Sequence, residues 1–139
     1  MRAAQFRAMR ETLGLSQEDV GDAVGVDCRS VESWEAGVNP ISDDVEEWLS
    51  CEKAVADYAV NSAIGNILAL PDPPASVSLA YYRTQEEYDQ FGRGDGPFHI
   101  GNANARRVAD ALEAEGIDCE FYYPGESGAV ETCSPHAWG

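Results

Sequence analysis

The fold is decided by the stretch Leu15-Ser-Gln-Glu-Asp-Val-Gly-Asp-Ala-Val-Gly-Val-Asp-Cys-Arg-Ser-Val-Glu-Ser-Trp-Glu-Ala-Gly37. Ser16 is a favourable N-cap for a helix that begins at Gln17, because its side-chain oxygen can accept a hydrogen bond from a first-turn N–H group. Gly25 can adopt the positive φ that ends this short helix and turns the chain. Asp27 then provides an N-cap for a second helix. The stretch therefore predicts two short helices joined by a tight turn.

The apolar residues of this stretch have the spacing of two helices that pack against each other. Val20 and Val24 are four residues apart and share one face of the first helix. Val31 and Trp34 are three residues apart on the inward face of the second. Gly21, which has no Cβ, lies where the two helices must cross closely. The pattern is that of a helix-turn-helix unit, whose second helix is the element that reads DNA.

Short polar side chains and one arginine occupy the outer face of the second helix, where a solvated helix usually carries long charged side chains. Arg29 offers a planar fork of donors that matches O6 and N7 of guanine, so we expect it to read a base. Cys28 is expected to contact a thymine methyl group, and most of the others to contact phosphates. An alternative is that Arg29 pairs with Glu32 and never reaches DNA. The predicted DNA contacts are Gln17, Cys28, Arg29, Ser30, Ser33 and Asn39.

This stretch, which closes on Trp34-Glu35-x-Gly37, resembles the helix-turn-helix of the Cro and CI-type repressors, also called the XRE family. In those repressors an arginine near the position of Arg10 pairs with the glutamate that corresponds to Glu35. The resemblance therefore implies a structural ion pair between Arg10 and Glu35. The alternative is a pair of helices that only packs a core, since the apolar residues would be present in either case.

The flanking sequence predicts two further helices in the N-terminal part. Apolar residues at helical spacing predict a first helix over residues 2–13, and Gly14 ends it. Pro40 marks a turn, and Ser42 with the acids after it opens a long helix that continues to the proline-rich segment 71–74. The second half of this helix is apolar around more than a third of its circumference. We expect it to be buried both against its own domain and against a second subunit.

The second half of the chain predicts a small mixed unit. Residues 77–82 and 117–123 have the composition and alternation of strands, and a Thr84-capped helix and a helix over 102–115 lie between them. Two parallel or mixed strands covered by helices are too small a sheet to be stable alone, so the unit needs the long helix or another subunit.

The sequence thus predicts a mainly α fold with a small β component. A five-helix-type helix-turn-helix domain with its long connecting helix is expected over residues 1–70, a small α+β dimerisation domain over 71–123, and a mobile tail over 124–139. The predicted dimerisation residues are Val60, Ile64, Ile67, Leu79, Tyr81 and Phe121.

Further residues narrow the resemblance to the anti-CRISPR-associated repressors and their YdiL-like relatives. Ser33-Trp-Glu-x-Gly37 is followed by Pro40-x-x-Asp-Asp-Val-Glu46, and a strand runs into a tyrosine and a helix of the Glu87-Tyr88 kind. The resemblance implies an autoregulator of a phage or mobile-element operon that binds an inverted repeat as a homodimer. Some of these relatives also bind their own messenger RNA. The strong acidity and the short tail depart from that family.

The net charge is −16, from 9 basic and 25 acidic residues. This charge opposes the phosphate attraction that supplies most non-specific affinity for DNA. It favours a second class of function: an acidic protein-binding module, antitoxin-like or inhibitory, with a vestigial helix-turn-helix. Either class predicts a dimer.

Catalysis, metal binding and membrane association have little support in the sequence. No nucleophile motif is present, so an enzyme is not expected, nor is a cofactor. Cys119, Cys133 and His136 lack the spacing of zinc ligands, so no metal site is expected. No apolar run approaches 18 residues and no signal peptide is visible, which favours a cytoplasmic protein without a membrane partner. The basic doublet Arg106-Arg107 is explained by helical ion pairs with Asp110 at least as well as by a nucleic-acid contact.

Overall fold

The computed structural model describes residues 1–92, 94 and 96–126, which form a mainly helical fold with a small parallel sheet. The fold class expected from the sequence is confirmed. The elements in chain order are α1 (Ala3–Leu13), α2 (Gln17–Val24), α3 (Cys28–Glu35), α4 (Asp43–Leu68), β1 (Ser76–Ala80), α5 (Gln85–Phe91), α6 (Phe98–Ala114) and β2 (Asp118–Tyr122). The chain divides into two compact units, Met1–Ala56 and the residues from Asp57 on, so the division falls inside α4.

Local hydrogen bonds set the ends of α2 and α3, as the sequence predicts. The Ser16 side chain accepts from the Asp19 N–H at 3.0 Å, and the Asp19 carboxylate accepts from the Ser16 N–H at 2.9 Å. Gly25 follows α2 with φ +79°, a conformation that strains any residue with a Cβ. Asp27 accepts from the Ser30 N–H at 3.1 Å and caps α3. Both helices therefore begin where short polar side chains can satisfy their first N–H groups.

The first unit packs its helices around an apolar core. Phe6 of α1 lies edge-to-face on Trp34 of α3, with ring centroids 6.0 Å apart. A Cβ on Gly21 would lie 2.6 Å from the Val26 carbonyl oxygen, so the turn itself requires glycine there. Val24, expected in the core, is only half-buried. The buried apolar side chains of this unit include Phe6, Leu13, Leu15, Val20, Val31, Val45 and Leu49.

Four helices, rather than the expected five, make up this unit: α1, α2, α3 and the first half of α4. Residues 37–42 between α3 and α4 form a turn without a helix of their own. Gly37 has φ +76°, and Pro40 cannot donate the hydrogen bond that a helix would need there.

The second unit is built on two parallel strands with helices between them. β1 and β2 pair so that Leu79 lies opposite Phe121. α6 begins at Phe98, four residues before the predicted start, because Pro97 fixes an extended N-cap and Gln85 Oε1 accepts from the Phe98 N–H at 2.9 Å. The main core of the second unit combines the second half of α4, β1, α6 and the residue before β2, and Cys119 of β2 packs against it. It consists of Val60, Ala63, Ile67, Val77, Leu79, Val108, Ala109, Leu112 and Ile117.

Three residues predicted at a dimer interface lie in this core instead. Val60 is 3% exposed, Ile67 8% and Leu79 0%, and Ile64 packs against the same cluster. The apolar side of α4 is therefore used within the subunit, against the sheet and α6, and cannot also face a second copy. Of the predicted set, Phe121 is 47% exposed and contacts half-buried Tyr81 edge-to-face at 5.3 Å.

The basic doublet of α6 has different partners from those expected. Arg107 Nη2 donates to Asp57 of α4 at 2.7 Å, and Arg106 Nη1 donates to the Tyr81 hydroxyl at 2.5 Å. Pairing with Asp110, as spacing along the helix suggested, is replaced by contacts across the second unit. The doublet is therefore part of the packing of this unit.

Two buried polar side chains hold the sheet to its helices. Asn102 accepts from the Tyr82 N–H and donates to the Tyr82 carbonyl, both at 2.8 Å. Glu87, whose side chain is 7% exposed, accepts from Arg83 Nη2 at 2.7 Å and from the Arg83 N–H at 2.8 Å. Burial raises the pKa of Glu87, but the hydrogen bonds from Arg83 outweigh it, and the pKa lies below its ordinary value. The sequence analysis named Glu87 only as part of a helix of the Glu87-Tyr88 kind, and it gave Asn102 no role.

Within the part of the chain that the structure describes, every helix is too short or too polar to cross a membrane.

Candidate nucleic-acid interface

Helix α3 presents one polar face to solvent and one apolar side to the core. Val31 is fully buried, which fixes the rotation of this eight-residue helix. Cys28, Arg29 and Glu32 are consequently exposed on the opposite side, while Ser33 is half-buried. Of the four residues predicted on the outer face, Cys28 and Arg29 are exposed and Ser30 and Ser33 are half-buried, and Glu32 is an additional exposed acid.

Arg29 is exposed and makes no ion pair among the described residues. The alternative pairing with Glu32 is absent from these contacts, although the two residues lie three apart on the same helix. Arg29 is the one long cation of α3 and carries five N–H donors, and Glu32 is exposed on the same face of the helix. The side chain is therefore available to a ligand with acceptor atoms.

Four of the other predicted contact residues are already hydrogen-bonded within the first unit. Asn39 Nδ2 donates to Ser33 Oγ at 2.5 Å, which brings these two predicted residues together. Ser30 Oγ lies 3.4 Å from the Asp27 carboxylate that caps the helix. Gln17 Nε2 donates to Glu35 Oε1 at 3.2 Å. Each keeps unused hydrogen-bonding capacity, because a hydroxyl and an amide can both donate and accept.

An ion pair beneath α3 ties the helix to the rest of the unit. Arg10 Nε and Nη2 donate to the two Glu35 oxygens at 2.6 and 2.9 Å, and Arg10 Nη1 donates to the Leu15 carbonyl at 2.8 Å. The side chains are 11% and 4% exposed. Gln17, at the start of α2, completes the network. One buried glutamate therefore joins α1, α2 and the end of α3.

The electrostatics of this network keep both groups charged. Burial raises the pKa of Glu35, but the hydrogen bonds from Arg10 and then from Gln17 outweigh it, so the pKa lies below its ordinary value. The hydrogen bond to Glu35 raises the pKa of Arg10. The pair is therefore ionised at neutral pH, and the geometry of α3 relative to α1 depends on its charge.

The surroundings of α3 are acidic. Asp27 occupies the N-terminus of α3, where the helix dipole would otherwise favour an anion. Glu18 and Asp19 occupy the first turn of α2 in the same way. Both helix N-termini thus carry their own carboxylates, and phosphates approaching them meet like charge. Base contacts must carry a larger share of any affinity for DNA than they do in a basic protein.

Val38 is an exposed residue at this face that the sequence interpretation did not include. It lies in the turn after α3, next to Asn39, and is 74% exposed. Gly37 and Pro40 on either side of it indicate a turn in the sequence, and an apolar residue in such a turn was a signal that could have found it. A thymine methyl group or a deoxyribose would fit beside such a side chain.

The described part of the chain holds no cluster of His, Cys, Asp and Glu that could bind a metal ion. Cys28, Cys51 and Cys119 are free thiols. Cys133 and His136, weighed as metal ligands above, lie outside the described residues, as does most of the predicted tail over 124–139.

The first unit of this protein is helical and contains two short helices joined by a tight glycine turn. A small α+β unit follows it in the chain. The family model for Aca2/YdiL-like proteins matches residues 1–120. The chain belongs to the Aca2/YdiL-like family, and this membership indicates a phage-associated regulatory protein. No curated protein matches the sequence.

Proposed function

We propose that this protein is a transcriptional repressor of the Cro/CI type that binds DNA by sequence and regulates its own operon. It acts as a homodimer on an inverted repeat, in the cytoplasm, without catalysis and without a cofactor. The observation that carries the proposal is the exposed Arg29, which has no ion pair within the described part of the chain, on a helix whose position is fixed by the Arg10–Glu35 ion pair. A guanidinium held in this way has the geometry needed for bidentate contact with guanine.

In this proposal α3 enters the major groove and reads it with few side chains. Arg29 donates two hydrogen bonds to O6 and N7 of one guanine in each half-site. Cys28, at the first position of α3, contacts a thymine methyl group. A dimer places two such helices in successive major grooves, about 34–36 Å apart.

Neutral side chains position the helix on the backbone. Gln17, Ser30 and Asn39 contact phosphates, and Ser33 supports Asn39 through the hydrogen bond between them. These donors are neutral amides and hydroxyls. Their contacts with phosphates release no counterions, unlike contacts made by cations. Affinity for random DNA is consequently low, while discrimination between sequences is preserved.

The experiment is a mobility-shift titration on the DNA upstream of the protein's own gene, with a scrambled duplex of the same composition and a range of salt concentrations. Sequence-specific binding that Arg29→Ala weakens supports the proposal. Equal retention of both duplexes, or none at any salt concentration, contradicts it. A parallel titration with the protein's own leader RNA tests the RNA binding that the family resemblance implies.

A second candidate function is an acidic module that binds a basic protein. The net charge of −16 and the carboxylates at the N-termini of α2 and α3 favour it. In that case Arg29→Ala leaves partner binding unchanged, and replacing acids by amides weakens it. The effect of Arg29→Ala on operator binding therefore separates the two functions.

A further inference from the structure

Glu32 is an exposed carboxylate on the outer face of α3, and the proposed function gives it no role. Within the described part of the chain its side chain makes no hydrogen bond and no ion pair. It lies three residues after Arg29, a spacing at which opposite charges on a helix attract each other. The two side chains are nevertheless unpaired among the described residues. A guanidinium and a carboxylate are therefore both available on one helix face.

The geometry of α3 places Glu32 beside Arg29. With 3.6 residues per turn, Glu32 lies about 60° around the helix from Arg29 and about 4.5 Å further along its axis. Val31, which is fully buried, lies about 160° from Arg29 and fixes this face outward. A helix that enters the major groove with Arg29 leading therefore brings Glu32 in with it. The axial distance is on the scale of one base step of about 3.4 Å, so the two side chains reach neighbouring base pairs.

The other acids near this face have local partners. The Asp27 carboxylate accepts from the Ser30 N–H at 3.1 Å, and the Asp19 carboxylate accepts from the Ser16 N–H at 2.9 Å. Both stabilise the first turn of a helix. Glu32 lies in the interior of α3, beyond that turn, so its charge has no such local role.

A carboxylate in the major groove needs a hydrogen-bond donor from the bases. The phosphates on both sides of the groove repel it, so without a donor it weakens binding. The bases offer amino donors there at N4 of cytosine and N6 of adenine, whereas guanine presents acceptors and thymine an acceptor and a methyl group. Adenine places its N7 acceptor beside N6, which repels a carboxylate. Cytosine presents its donor without an adjacent acceptor, so it is the base that fits Glu32.

We propose that Glu32 is a specificity-determining residue, which accepts a hydrogen bond from N4 of a cytosine next to the guanine that Arg29 reads. This role rests on the proposed function and adds part of the operator to it, since each half-site then contains two adjacent G·C base pairs. At this position any other base places an acceptor or a methyl group against the carboxylate. Glu32 therefore rejects wrong sequences as well as selecting the right one.

The test is the selection of binding sites from a random duplex library by the wild type and by two variants. The wild type should prefer cytosine over the other bases by about tenfold at one position of each half-site. Glu32→Ala should lower this preference to less than about threefold. Glu32→Gln should shift it towards adenine, because an amide can accept from N6 and donate to N7. Circular dichroism verifies the fold, which an exposed side chain without described contacts does not support.

Glu18→Gln is the matched control. It makes the same chemical change at an exposed glutamate in the first turn of α2 and removes the same charge. It should strengthen binding to all sequences alike, because repulsion from phosphates carries no sequence information. A loss of the cytosine preference in Glu18→Gln would overturn the proposal, since overall charge rather than a contact of Glu32 would then set the preference.

A modified duplex tests the contact at the level of one atom. N4-methylcytosine at the selected position replaces the amino hydrogen that faces the major groove, while the base pair is retained. Affinity of the wild type should fall about tenfold, and Glu32→Ala, which has no acceptor, should bind both duplexes equally. Equal affinity of the wild type for the two duplexes, or the same loss in Glu32→Ala, refutes the contact.

These outcomes separate the role of Glu32 from the repressor function. If Arg29→Ala loses a guanine preference and Glu32→Ala keeps the cytosine preference, the repressor function stands and the role of Glu32 is wrong. If Glu32→Ala loses the guanine preference alone, Glu32 positions Arg29 and reads no base, which also overturns the proposal. A wild type that selects no sequence overturns both.

Discussion

Removing one partner of the Arg10–Glu35 pair measures how strongly the ion pair holds α1 to α3. In Arg10→Met, Glu35 loses two hydrogen bonds of 2.6 and 2.9 Å and keeps the one from Gln17 at 3.2 Å. Its carboxylate is 4% exposed, so water replaces the lost donors poorly. Breaking a buried ion pair costs about 3–5 kcal/mol. Because Arg10 is 11% exposed and the pair lies near the surface, we expect about 3 kcal/mol, the lower end of that range.

The assay is urea denaturation at pH 7 followed by tryptophan fluorescence, which reports the first unit through Trp34 and Trp48. With a urea dependence of about 1–3 kcal/mol per molar, the midpoint should fall by about 1–3 M. Arg7→Ala is the control, because the Arg7–Glu11 pair is 3.4 Å long with both side chains more than half exposed. Its removal should change the unfolding free energy by less than about 1 kcal/mol.

A double variant distinguishes the ion pair from packing. Arg10→Met with Glu35→Leu removes both charges, and it should recover most of the lost stability because no unpaired carboxylate stays buried. A loss below about 1 kcal/mol in Arg10→Met, or a double variant no more stable than the single one, would refute the reasoning.

The remaining predictions concern DNA, packing and pH. Arg29→Ala should lose about 1–3 kcal/mol on the cognate site and relax one base preference per half-site, whereas Ser30→Ala should weaken all sequences equally; binding-site selection by each variant tests this. On random duplexes, affinity should fall with salt less steeply than the slope of about −5 expected for six phosphate contacts, as titrations at several salt concentrations will show. Gly21→Ala should destabilise the first unit by about 1–3 kcal/mol in urea melts, because the new Cβ would lie 2.6 Å from the Val26 carbonyl oxygen. The folded-state pKa of Glu87 lies below its ordinary value of 4.5, so its contribution to stability is present above that pH and is lost as the pH falls through the folded-state pKa. Acid unfolding of the second unit should therefore be less dependent on pH in Glu87→Gln, and unchanged pH dependence by circular dichroism would exclude that role.

The ends of the helices and the face of α3 could be read from the sequence because they depend on local interactions. Ser16 with Asp19, and Asp27 with Ser30, bond to residues three positions away. Gly25 itself has a positive φ at the turn that follows α2, and glycine adopts this conformation more readily than any residue with a Cβ. Periodicity likewise determines that Val31 is buried and Arg29 exposed, because both lie on one helix of known geometry.

The tertiary structure decided what each buried side packs against. Periodicity shows that Val60 and Ile67 share an apolar side of α4. The same periodicity is expected whether that side packs against the subunit's own sheet or against a second copy. Only the fold shows that β1, β2 and α6 cover it, which leaves the opposite side, with Tyr58 and Gly65, exposed as far as the described residues show.

The same limit applies to the polar partners. Arg107 bonds to a residue fifty positions away rather than to Asp110, and Gln17 bonds to Glu35, eighteen positions on. Spacing along one helix predicts only the partners that lie on the same helix. The side-chain hydrogen bonds that form also depend on the charged groups that folding brings near, because a long side chain can reach such a group as readily as a neighbour on its own helix.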